Sequence, residues 1–547
     1  MRLIHVLLLT AFGHRPITAG SLSAPPPPLG LNAREKSALP DREPFGFGAA
    51  ATGGGVASAN NTYVVDNMMD LRRVLKMDEP RTVYVRGEIR GSQINETFAG
   101  DCQYYVDSSS VPGFNLTLYV MALNATYTDA VKAAAAADET FEGRNATEYL
   151  ALLNRQNGWR GTAQNVQKSW ESIDARGNLT LIGTDSTAYL HGVSLIFNSR
   201  SNIIIRNLRL SSPRDCFPAP ETYPATWNAR YDAVSFVSTT TAWLDGNTFE
   251  DSAAGAVAPD DIHLWGWQVD RYDGLFDVED GSDDITFSHN VVANHHKSLL
   301  WGGGEKEGSR DIGKMRFTVF GNRFVNSLSR NPLMRFGTFY VANNVFENYA
   351  NRPPLYDKDD DGDDDDNNRT SGGPYTNSIL EESREAAGER KRNEEDDEPY
   401  TPDFQYHLGI YNLSSVLVTG NYFAQTGPYA SDVTRIFAFQ NLATPLMPGY
   451  FCSPADLPFS FSSSSSSRYT RLQNTLNNTP LNLTATLFDS FTYHLRTSAD
   501  SAPDGLVSDC ARFGEAQDLP TSFDTAEDVY AYVVRNAGQD GGGGVER

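Results

Sequence analysis

The chain has few cysteines, a deficit of positive charge and no long apolar segment. It contains four cysteines in 547 residues, and its 45 lysines and arginines are outnumbered by 69 aspartates and glutamates, which gives a formal net charge of −24. Nucleic acids and anionic membranes bind to basic surfaces, so neither is expected as a partner. No apolar run reaches the roughly 18 residues of a membrane-spanning helix, which excludes a multi-pass membrane protein.

The cysteines also bear on the compartment in which the protein acts. Cys102, Cys216, Cys452 and Cys510 lack the CxxC spacing of structural zinc sites. Residues 1–24 begin with a basic residue, continue with an apolar stretch and end in small residues, which is typical of a secretory signal peptide. We therefore expect a secreted, extracellular protein with two disulfides, whose pairing the sequence does not determine.

Glycosylation signals agree with export. The chain contains about ten Asn-x-Ser/Thr sequons, some of which an Asn- and Thr-rich sequence produces by chance. We expect a glycoprotein. The sequons include Asn95, Asn115, Asn124, Asn145, Asn178, Asn412 and Asn482.

The composition and its local shifts predict one large domain with appended segments. Apolar residues make up 40% of the chain and aromatic residues 11%, which is enough to build a core. A Pro-rich linker is predicted at 25–43 and a single domain at 44–547. Residues 357–398 carry 17 acidic and 6 basic side chains, so we expect a flexible acidic insertion there, and a second low-complexity loop at 460–467. Helices are expected at 67–75, around 128–160 and at 522–536, and a strand at 81–89.

A short repeat indicates the fold. Five segments, AWLDGNTF, ITFSHNVV, FTVFGNRF, FYVANNVF and VLVTGNYF, align on an Asn and alternate apolar with polar residues, as strands on either side of a bend do. Strands repeating at irregular intervals suit an all-β solenoid of parallel coils, in which the aligned asparagines could stack and share amide hydrogen bonds. A β sandwich with Asn in its turns is the alternative. The aligned residues are Asn247, Asn290, Asn322, Asn344 and Asn421.

One acidic cluster could bind a cation. Asp273 and Asp277 flank Gly274, which would permit a bend that brings the two carboxylates together. Asp232 would lie beside them if it belongs to the preceding coil. Three carboxylates on one exposed face suit a hard cation with oxygen ligands, Ca²⁺ before Mg²⁺. The alternative is that these acidic residues are simply solvated.

A set of motifs in a fixed order resembles a known family. The segments WNARYDAVSF, AWLDGNTF, YDGLFDVEDGSDDITFSHN, NHHKSLLWG, RFTVFGNRF and SRNPLMRFGTFYVANNVF resemble the pectate lyases of polysaccharide lyase family 1. The strong resemblance covers about residues 175–350, with a weaker echo at GFGAAATGG. It implies a right-handed parallel β-helix with short peripheral helices and long loops. It further implies a monomeric, calcium-dependent enzyme that cleaves α-1,4-polygalacturonate by β-elimination to 4,5-unsaturated oligogalacturonates.

The resemblance also assigns site residues. It implies Ca²⁺ ligands at Asp232, Asp273 and Asp277, and catalytic side chains at Lys297, Arg330 and Arg335, with Arg330 as the base. The chain departs from the family pattern at Leu333, which replaces a basic residue between the two arginines, and at Arg230, which replaces an acidic residue that some relatives carry. It also has WLDG where the family has WIDH, and YVANN where the family has HVYNN. A pectin lyase acting on methyl-esterified substrate and a non-catalytic carbohydrate-binding protein therefore remain alternatives.

Overall fold

The computed structural model describes residues 41–222, 226–251, 262–264, 267–269, 271–351, 404–439, 450–453, 472–487, 490, 507–508 and 519–539. The predicted signal peptide, nearly all of the Pro-rich linker, the acidic insertion and the loop at 460–467 lie outside these residues. In the described part of the chain, no helix has the length and apolar character needed to cross a membrane.

Three sheets of parallel strands form the body of the protein. The strands of the first sheet are Thr62–Val65, Arg81–Val85, Leu179–Gly183, Ser201–Arg206, Thr240–Asp245, Asp283–Ser288, Arg316–Phe320, Thr338–Ala342, Ser415–Thr419, Tyr450–Cys452 and Val507–Ser508. Those of the second sheet are Glu88–Arg90, Tyr189–His191, Arg209–Leu210, Thr248–Glu250, Val291–Lys297, Arg323–Ser329, Val345–Tyr349, Tyr422–Thr426, Thr475–Leu476 and Thr479–Pro480. Those of the third sheet are Ser172–Asp174, Ser194–Asn198, Val234–Val237, Phe276–Glu279, Leu300–Trp301, Leu333–Met334, Leu408–Ile410 and Phe437–Ala438.

The chain visits the three sheets in turn. One coil runs through Thr240–Asp245, Thr248–Glu250 and Phe276–Glu279 before the next begins at Asp283–Ser288. The strands of successive coils pair in parallel, as Ala242 does with Ile285, and only the last strand of the second sheet, Thr479–Pro480, pairs antiparallel, with Thr475–Leu476, among the described strands of the three sheets. This arrangement is a parallel β-helix, which confirms the predicted solenoid and excludes the sandwich. Its handedness stays a prediction.

The predicted asparagine ladder is present at the turn between the first and second sheets. Each Asn donates its side-chain N–H to the Oδ1 of the next, at 3.0 Å from Asn247 to Asn290 and 2.9 Å from Asn322 to Asn344. Asn290 and Asn344 continue the ladder in the same way, and Asn421 extends it to Asn474, which the repeat analysis missed. The ladder thus satisfies buried backbone and side-chain groups together, since each Oδ1 also accepts a backbone N–H.

The bend itself lies one residue earlier than predicted. The residue before each aligned Asn, not the Asn, has the positive φ: Gly246, His289, Gly321, Asn343 and Gly420. The segment IIIRNLRL, which begins at Ile203, is a looser copy of the repeat in which Asn207 has the positive φ, so Leu208 takes the ladder position. Leu208 has no side-chain amide, and only its backbone N–H bonds to Asn247 Oδ1, at 3.1 Å.

Helices lie around the coils. They are α1 (Met68–Leu75), α2 (Cys102–Asp107), α3 (Leu116–Leu123), α4 (Ala125–Ala136), α5 (Ala146–Glu171), α6 (Gly308–Asp311) and α7 (Ala526–Asn536), with 3₁₀ turns at Gly46–Ala50, Glu305–Glu307 and Val433–Arg435. The predicted helices at the two ends, α1 and α7, are confirmed, and α7 begins with a capping box at Thr525. The expectation that peripheral helices are short was wrong for α5, which has 26 residues. The predicted strand at 81–89 is broken, because Gly87 takes a positive φ between two shorter strands.

The helices α2 to α5 form a lateral excursion with its own apolar cluster. Tyr119, Phe114 and Trp227 pack together there, and Cys102 forms a disulfide with Cys216 that ties the excursion to the coils. Cys452 is also disulfide-bonded, whereas Cys510 lies outside the described residues.

Long insertions enter the β-helix at one column of turns, between the second and third sheets. The helical excursion separates Glu88–Arg90 from Ser172–Asp174, and residues 352–403, outside the described part, separate Val345–Tyr349 from Leu408–Ile410. The turns of this column are therefore the part of each coil that stacking constrains least, and the predicted site residues lie along it.

Candidate active site

Parallel stacking brings the six predicted site residues to one column. Asp232 precedes the third-sheet strand Val234–Val237, and Asp277 lies in the next strand of that sheet, where it pairs with Ser235. Lys297 ends a second-sheet strand and pairs with Ser329, which immediately precedes Arg330. Arg335 follows the third-sheet strand Leu333–Met334, and Asp273 precedes the strand that holds Asp277. Residues that are far apart in the sequence therefore follow one another along a few stacked coils.

Two of the aspartates are held by short hydrogen bonds. Asp232 accepts the hydroxyl of Ser235 at 2.6 Å and the backbone N–H of Gly274 at 3.1 Å. Asp277 accepts the backbone N–H of Leu300 at 3.0 Å. Both side chains are partly buried. Their carboxylates are thus fixed by groups from the same and the neighbouring coil.

Burial and neighbouring negative charges raise the pKa values of Asp232 and Asp277. Burial raises the pKa of Asp232 well above its ordinary value, and the charges of Asp277 and Asp273 add to this. Burial and the charge of Asp273 raise the pKa of Asp277 to about 7, against the opposing charge of Arg330. The surroundings of the three carboxylates therefore do not fully offset the repulsion between their negative charges. A bound cation would reduce that repulsion.

Gly274 leaves room for the Asp277 carboxylate. A Cβ added at Gly274 would lie 2.3 Å from Asp277 Oδ1, far inside van der Waals contact. Gly274 does not take a positive φ, so its backbone conformation alone would not require a glycine. A glycine is required here because the carboxylate lies against its Cα.

The carboxylate oxygens of the acidic cluster suit a hard cation, but they do not complete its coordination. Within the described ranges, no group of three or more His, Cys, Asp or Glu side chains is placed so that it could hold a metal ion by itself. Asp232 and Asp277 offer carboxylate oxygens, the donor type that Ca²⁺ prefers. A cation at this cluster would therefore take further oxygen donors from outside the chain.

Lys297 and Arg330 lie beside the acidic cluster. The Lys297 ammonium donates to the backbone carbonyl of Trp227 at 3.5 Å, which connects it to the segment that leads to Asp232. Arg330 has a φ of +58°, uncommon for a residue with a Cβ, and its carbonyl accepts the N–H of Leu299 at 2.9 Å. The Arg330 side chain extends from this strained turn and is partly buried. Its positive charge acts to lower the pKa of Asp277.

Arg335 is fixed more tightly. Its guanidinium donates to the carbonyl of Gly302 at 2.7 Å and lies 5.2 Å from the ring centroid of Tyr411. A Cβ at Gly302 would come within 2.6 Å of the Arg335 Cβ. Leu333, the departure between the two arginines, is 4% exposed and pairs with Leu300 and Gly409, so it is part of the packed third sheet.

Sequence reasoning missed two contributors to this region. His295 and Asp251 are both buried and form an ion pair, with 2.5 Å between Nδ1 and Oδ1, and the charge of His295 lowers the pKa of Asp277. Tyr411, which follows the acidic insertion in the sequence, contacts the guanidinium of Arg335. The partners in these pairs are 44 and 76 residues apart in sequence. His295 and Arg335 lie in the motifs quoted above, but no motif marks Asp251 or Tyr411.

Comparisons with known proteins agree with this geometry. A family model described as pectate lyase matches residues 156–457. A pectate lyase of Bacillus subtilis (strain 168) is 28% identical over 330 residues, which are 58% of this chain and 72% of the relative. Pectate lyase E of Dickeya chrysanthemi is 33% identical over 187 residues, 34% of this chain and 47% of the relative, so the chain spans about half of that protein.

Solved structures are similar in fold. The thermostable pectate lyase PL 47 matches with a TM-score of 0.63 at 22% identity, covering 91% of this chain and 97% of the other. A pectate lyase bound to a hexasaccharide matches with a TM-score of 0.60, also at 22% identity and with the same coverage. At this identity the likeness supports the fold alone.

Proposed function

The chain belongs to the pectate lyase family and is a polysaccharide lyase, and from that premise we propose a secreted, calcium-dependent enzyme that cleaves α-1,4-polygalacturonate by β-elimination to 4,5-unsaturated oligogalacturonates. The observation that carries the proposal is the mutually repelling group of Asp232, Asp273 and Asp277 beside Arg330. A uronate polymer brings one carboxylate per sugar, which can supply the cation ligands that the chain itself does not complete.

Asp232, Asp273 and Asp277 would hold the Ca²⁺ ion. A cation held by these residues would supply positive charge next to the substrate carboxylate, which would make the C5 proton more acidic. The chain's own part at this position is to keep the carboxylates fixed, through Ser235, Gly274 and Leu300.

Two cationic side chains would stabilise the negative charge that develops as the C5 proton leaves. Lys297 lies at the end of its strand, and Arg335 is held by Gly302 and Tyr411, so little reorganisation is needed as charge builds up. Positioned charges of this kind act on the transition state more than on the bound substrate. The leaving C4 oxygen then departs with its electron pair.

Arg330 would remove the C5 proton. A guanidinium is ordinarily protonated, and the neighbouring aspartates favour its charged form further. Neutralisation of those carboxylates by the cation would remove that obstacle. A hydroxide ion or water acting beside a charged Arg330 is the alternative base.

Two other functions remain candidates. A pectin lyase would act on methyl-esterified substrate, but the three aspartates favour a cation and therefore a free carboxylate. A non-catalytic carbohydrate-binding protein would need the cationic side chains only for binding. Secretion, glycosylation and a monomeric state belong to the same proposal. Among the sequons, Asn412 is 1% exposed, so a glycan is expected at the exposed ones instead.

One assay tests the function. The purified protein should convert polygalacturonate into a product with the ultraviolet absorbance of an unsaturated uronate when calcium is present, and a chelator should stop the reaction. Asp277→Ala should be inactive even in excess calcium, whereas Asp129→Ala, on an exposed helix surface, should behave as wild type. Equal activity with chelator would contradict the calcium mechanism. Activity on esterified pectin alone would favour the pectin lyase, and no product from either substrate would favour the binding protein.

A further inference from the structure

Arg230 is an exposed cation at the edge of the site. It lies two residues before Asp232 and three after Trp227, whose carbonyl accepts the Lys297 ammonium. The short segment between Trp227 and Asp232 therefore runs from the predicted catalytic lysine to the predicted cation ligands. Arg230 stands in the middle of it.

The backbone and side chain of Arg230 are both anchored on the helical excursion. Its backbone N–H donates to the buried carboxylate of Asp215 at 3.1 Å, next to the disulfide at Cys216. Its guanidinium donates to the side-chain oxygens of Gln164 and Asn165 on α5, at 3.3 and 3.0 Å. These acceptors orient the guanidinium, but both are neutral and leave its charge uncompensated.

Lys168 lies one turn further along α5 and is also exposed. Burial lowers its pKa, and so does the charge of Arg230, with Asp174 acting in the opposite direction. The two cations are therefore close enough to repel each other. In the described part of the chain, no carboxylate lies within ion-pair distance of the Arg230 guanidinium.

The pair of Arg230 and Lys168 is suited to bind an anion that is not part of the chain. A guanidinium offers a planar fork of donors that matches a carboxylate, and an ammonium adds charge without demanding a fixed direction. Arg230 and Lys168 repel each other, and the attraction of both to a carboxylate bound between them would offset that repulsion. The substrate of the proposed function carries one carboxylate on each sugar.

We propose that Arg230 and Lys168 form a binding subsite for the carboxylate of a uronate unit adjacent to the reacting one, so that α5 provides one wall of the substrate cleft. This inference rests on the proposed function. It assigns to the helical excursion a role in recognising unesterified substrate, because a methyl ester at that unit would remove the charge that the two cations bind.

The first test is kinetic. In the double variant Arg230→Gln/Lys168→Gln, KM for polygalacturonate should rise about tenfold at low salt, the size expected for a partly exposed charge-assisted contact, with a smaller change in kcat. The difference should shrink as salt is added, because exposed charges are screened. Arg155→Gln removes the same charge from an exposed position on α5, about 15 Å along the helix from Asn165, and should leave KM unchanged.

The Lys168 side chain makes no hydrogen bond to the residues that the structure describes, so Lys168→Gln alone keeps the test valid if Arg230→Gln unfolds. It should raise KM by a smaller factor, and Arg230→Lys should recover part of the lost affinity. Equal KM values in the double variant and Arg155→Gln would overturn the proposal. So would a fall in kcat at unchanged KM, since a carboxylate subsite acts on binding.

The second test separates the subsite from the proposed reaction. Electrophoresis of the full chain in a gel containing polygalacturonate, with chelator present, should retard wild type and Arg155→Gln more than the double variant. A gel containing a neutral polysaccharide should retard all of them equally. Equal retardation of every variant by polygalacturonate would refute the subsite, whereas wild type that fails to cleave polygalacturonate with calcium would refute the function.

Discussion

His289 and Asp245 form a fully buried pair, with 2.8 Å between the imidazole Nδ1 and the carboxylate Oδ1. The other ring nitrogen of His289 lies 3.0 Å from the hydroxyl of Tyr532 on α7. Asp245 also contacts Arg42 at the start of the described chain and Arg206 in the neighbouring coil, each at 3.2 Å. One carboxylate therefore links the two ends of the described chain to the middle of the β-helix.

Replacing Asp245 should be costly. Burial acts to raise the Asp245 pKa, but the hydrogen bond and charge of His289 and the charges of Arg42 and Arg206 outweigh it, so the pKa lies below its ordinary value. Asp245→Asn should lower the free energy of unfolding by about 3 kcal/mol, because it leaves two arginines without their anionic partner. Urea denaturation measures this. The exposed variant Asp129→Asn should cost less than about 0.5 kcal/mol, and similar losses in the two variants would show that the buried network contributes little.

A single methyl group at Gly274 should impair the site without unfolding the protein. In Gly274→Ala the new Cβ would collide with the Asp277 carboxylate and displace it. We expect a rise of about tenfold or more in the calcium concentration needed for half-maximal activity, with a nearly unchanged Tm. Gly158→Ala on α5, where an added Cβ meets no atom within 4 Å, is the control and should raise stability slightly. Unaltered calcium dependence in Gly274→Ala would argue against Asp277 as a ligand.

The role of Arg330 can be distinguished from that of Lys297. If Arg330 takes the C5 proton, Arg330→Lys should lower kcat by at least about 10²-fold with little change in KM, because the loss affects the transition state alone. Lys297→Ala should change both constants, since its charge also attracts the bound substrate. The wild-type rate should rise into the alkaline range as neutral guanidine becomes available. A Lys variant with most of its turnover and the same pH profile would point to hydroxide or water as the base.

His407 should contribute stability that the folded protein loses as the pH falls below 6.5. Burial and the charge of Arg435 lower the pKa of His407 from 6.5 to about 3, so the folded chain cannot take up a proton that the unfolded chain binds. The stability contributed by neutral His407 is complete above pH 6.5 and is lost progressively towards pH 3, at a cost of about 2 kcal/mol by pH 5. The pKa of His289 is lowered too, mainly by burial, and acts in the same direction. In His407→Gln the slope of unfolding free energy against pH should differ from that of wild type between pH 5 and 6.5, and identical slopes in the two proteins would contradict the prediction.

The parts of the fold that repeat were predictable from the sequence. Asn247 and its equivalents recur with the same alternation of apolar neighbours, because each coil meets the same packing requirement. Asn474 was missed, since the strand that follows it has only two residues and carries little pattern. The length of α5 was also missed: it packs on an excursion whose apolar cluster draws on residues such as Trp227, far along the chain.

The candidate site was also predictable from the sequence only in part. Its charged residues lie in recognisable motifs, so the resemblance located them. Their supports come from other coils: Tyr411 for Arg335 and Asp251 for His295. The space that Gly274 gives to Asp277 is likewise a tertiary property, because it depends on how a side chain folds back over a neighbouring backbone. Local sequence carries no signal for such contacts.

The asparagine ladder has a polarity. From Asn247 to Asn421, every amide donates one side-chain N–H to the Oδ1 of the next asparagine in the C-terminal direction. Its other N–H is donated to a backbone carbonyl of the preceding coil. The amide dipoles are therefore aligned head to tail, and turning any one of them over would set two oxygens or two NH₂ groups against each other. The backbone groups of the adjacent coils fix the same orientation at every step, so each side-chain amide is held in one orientation by both its asparagine neighbour and the backbone.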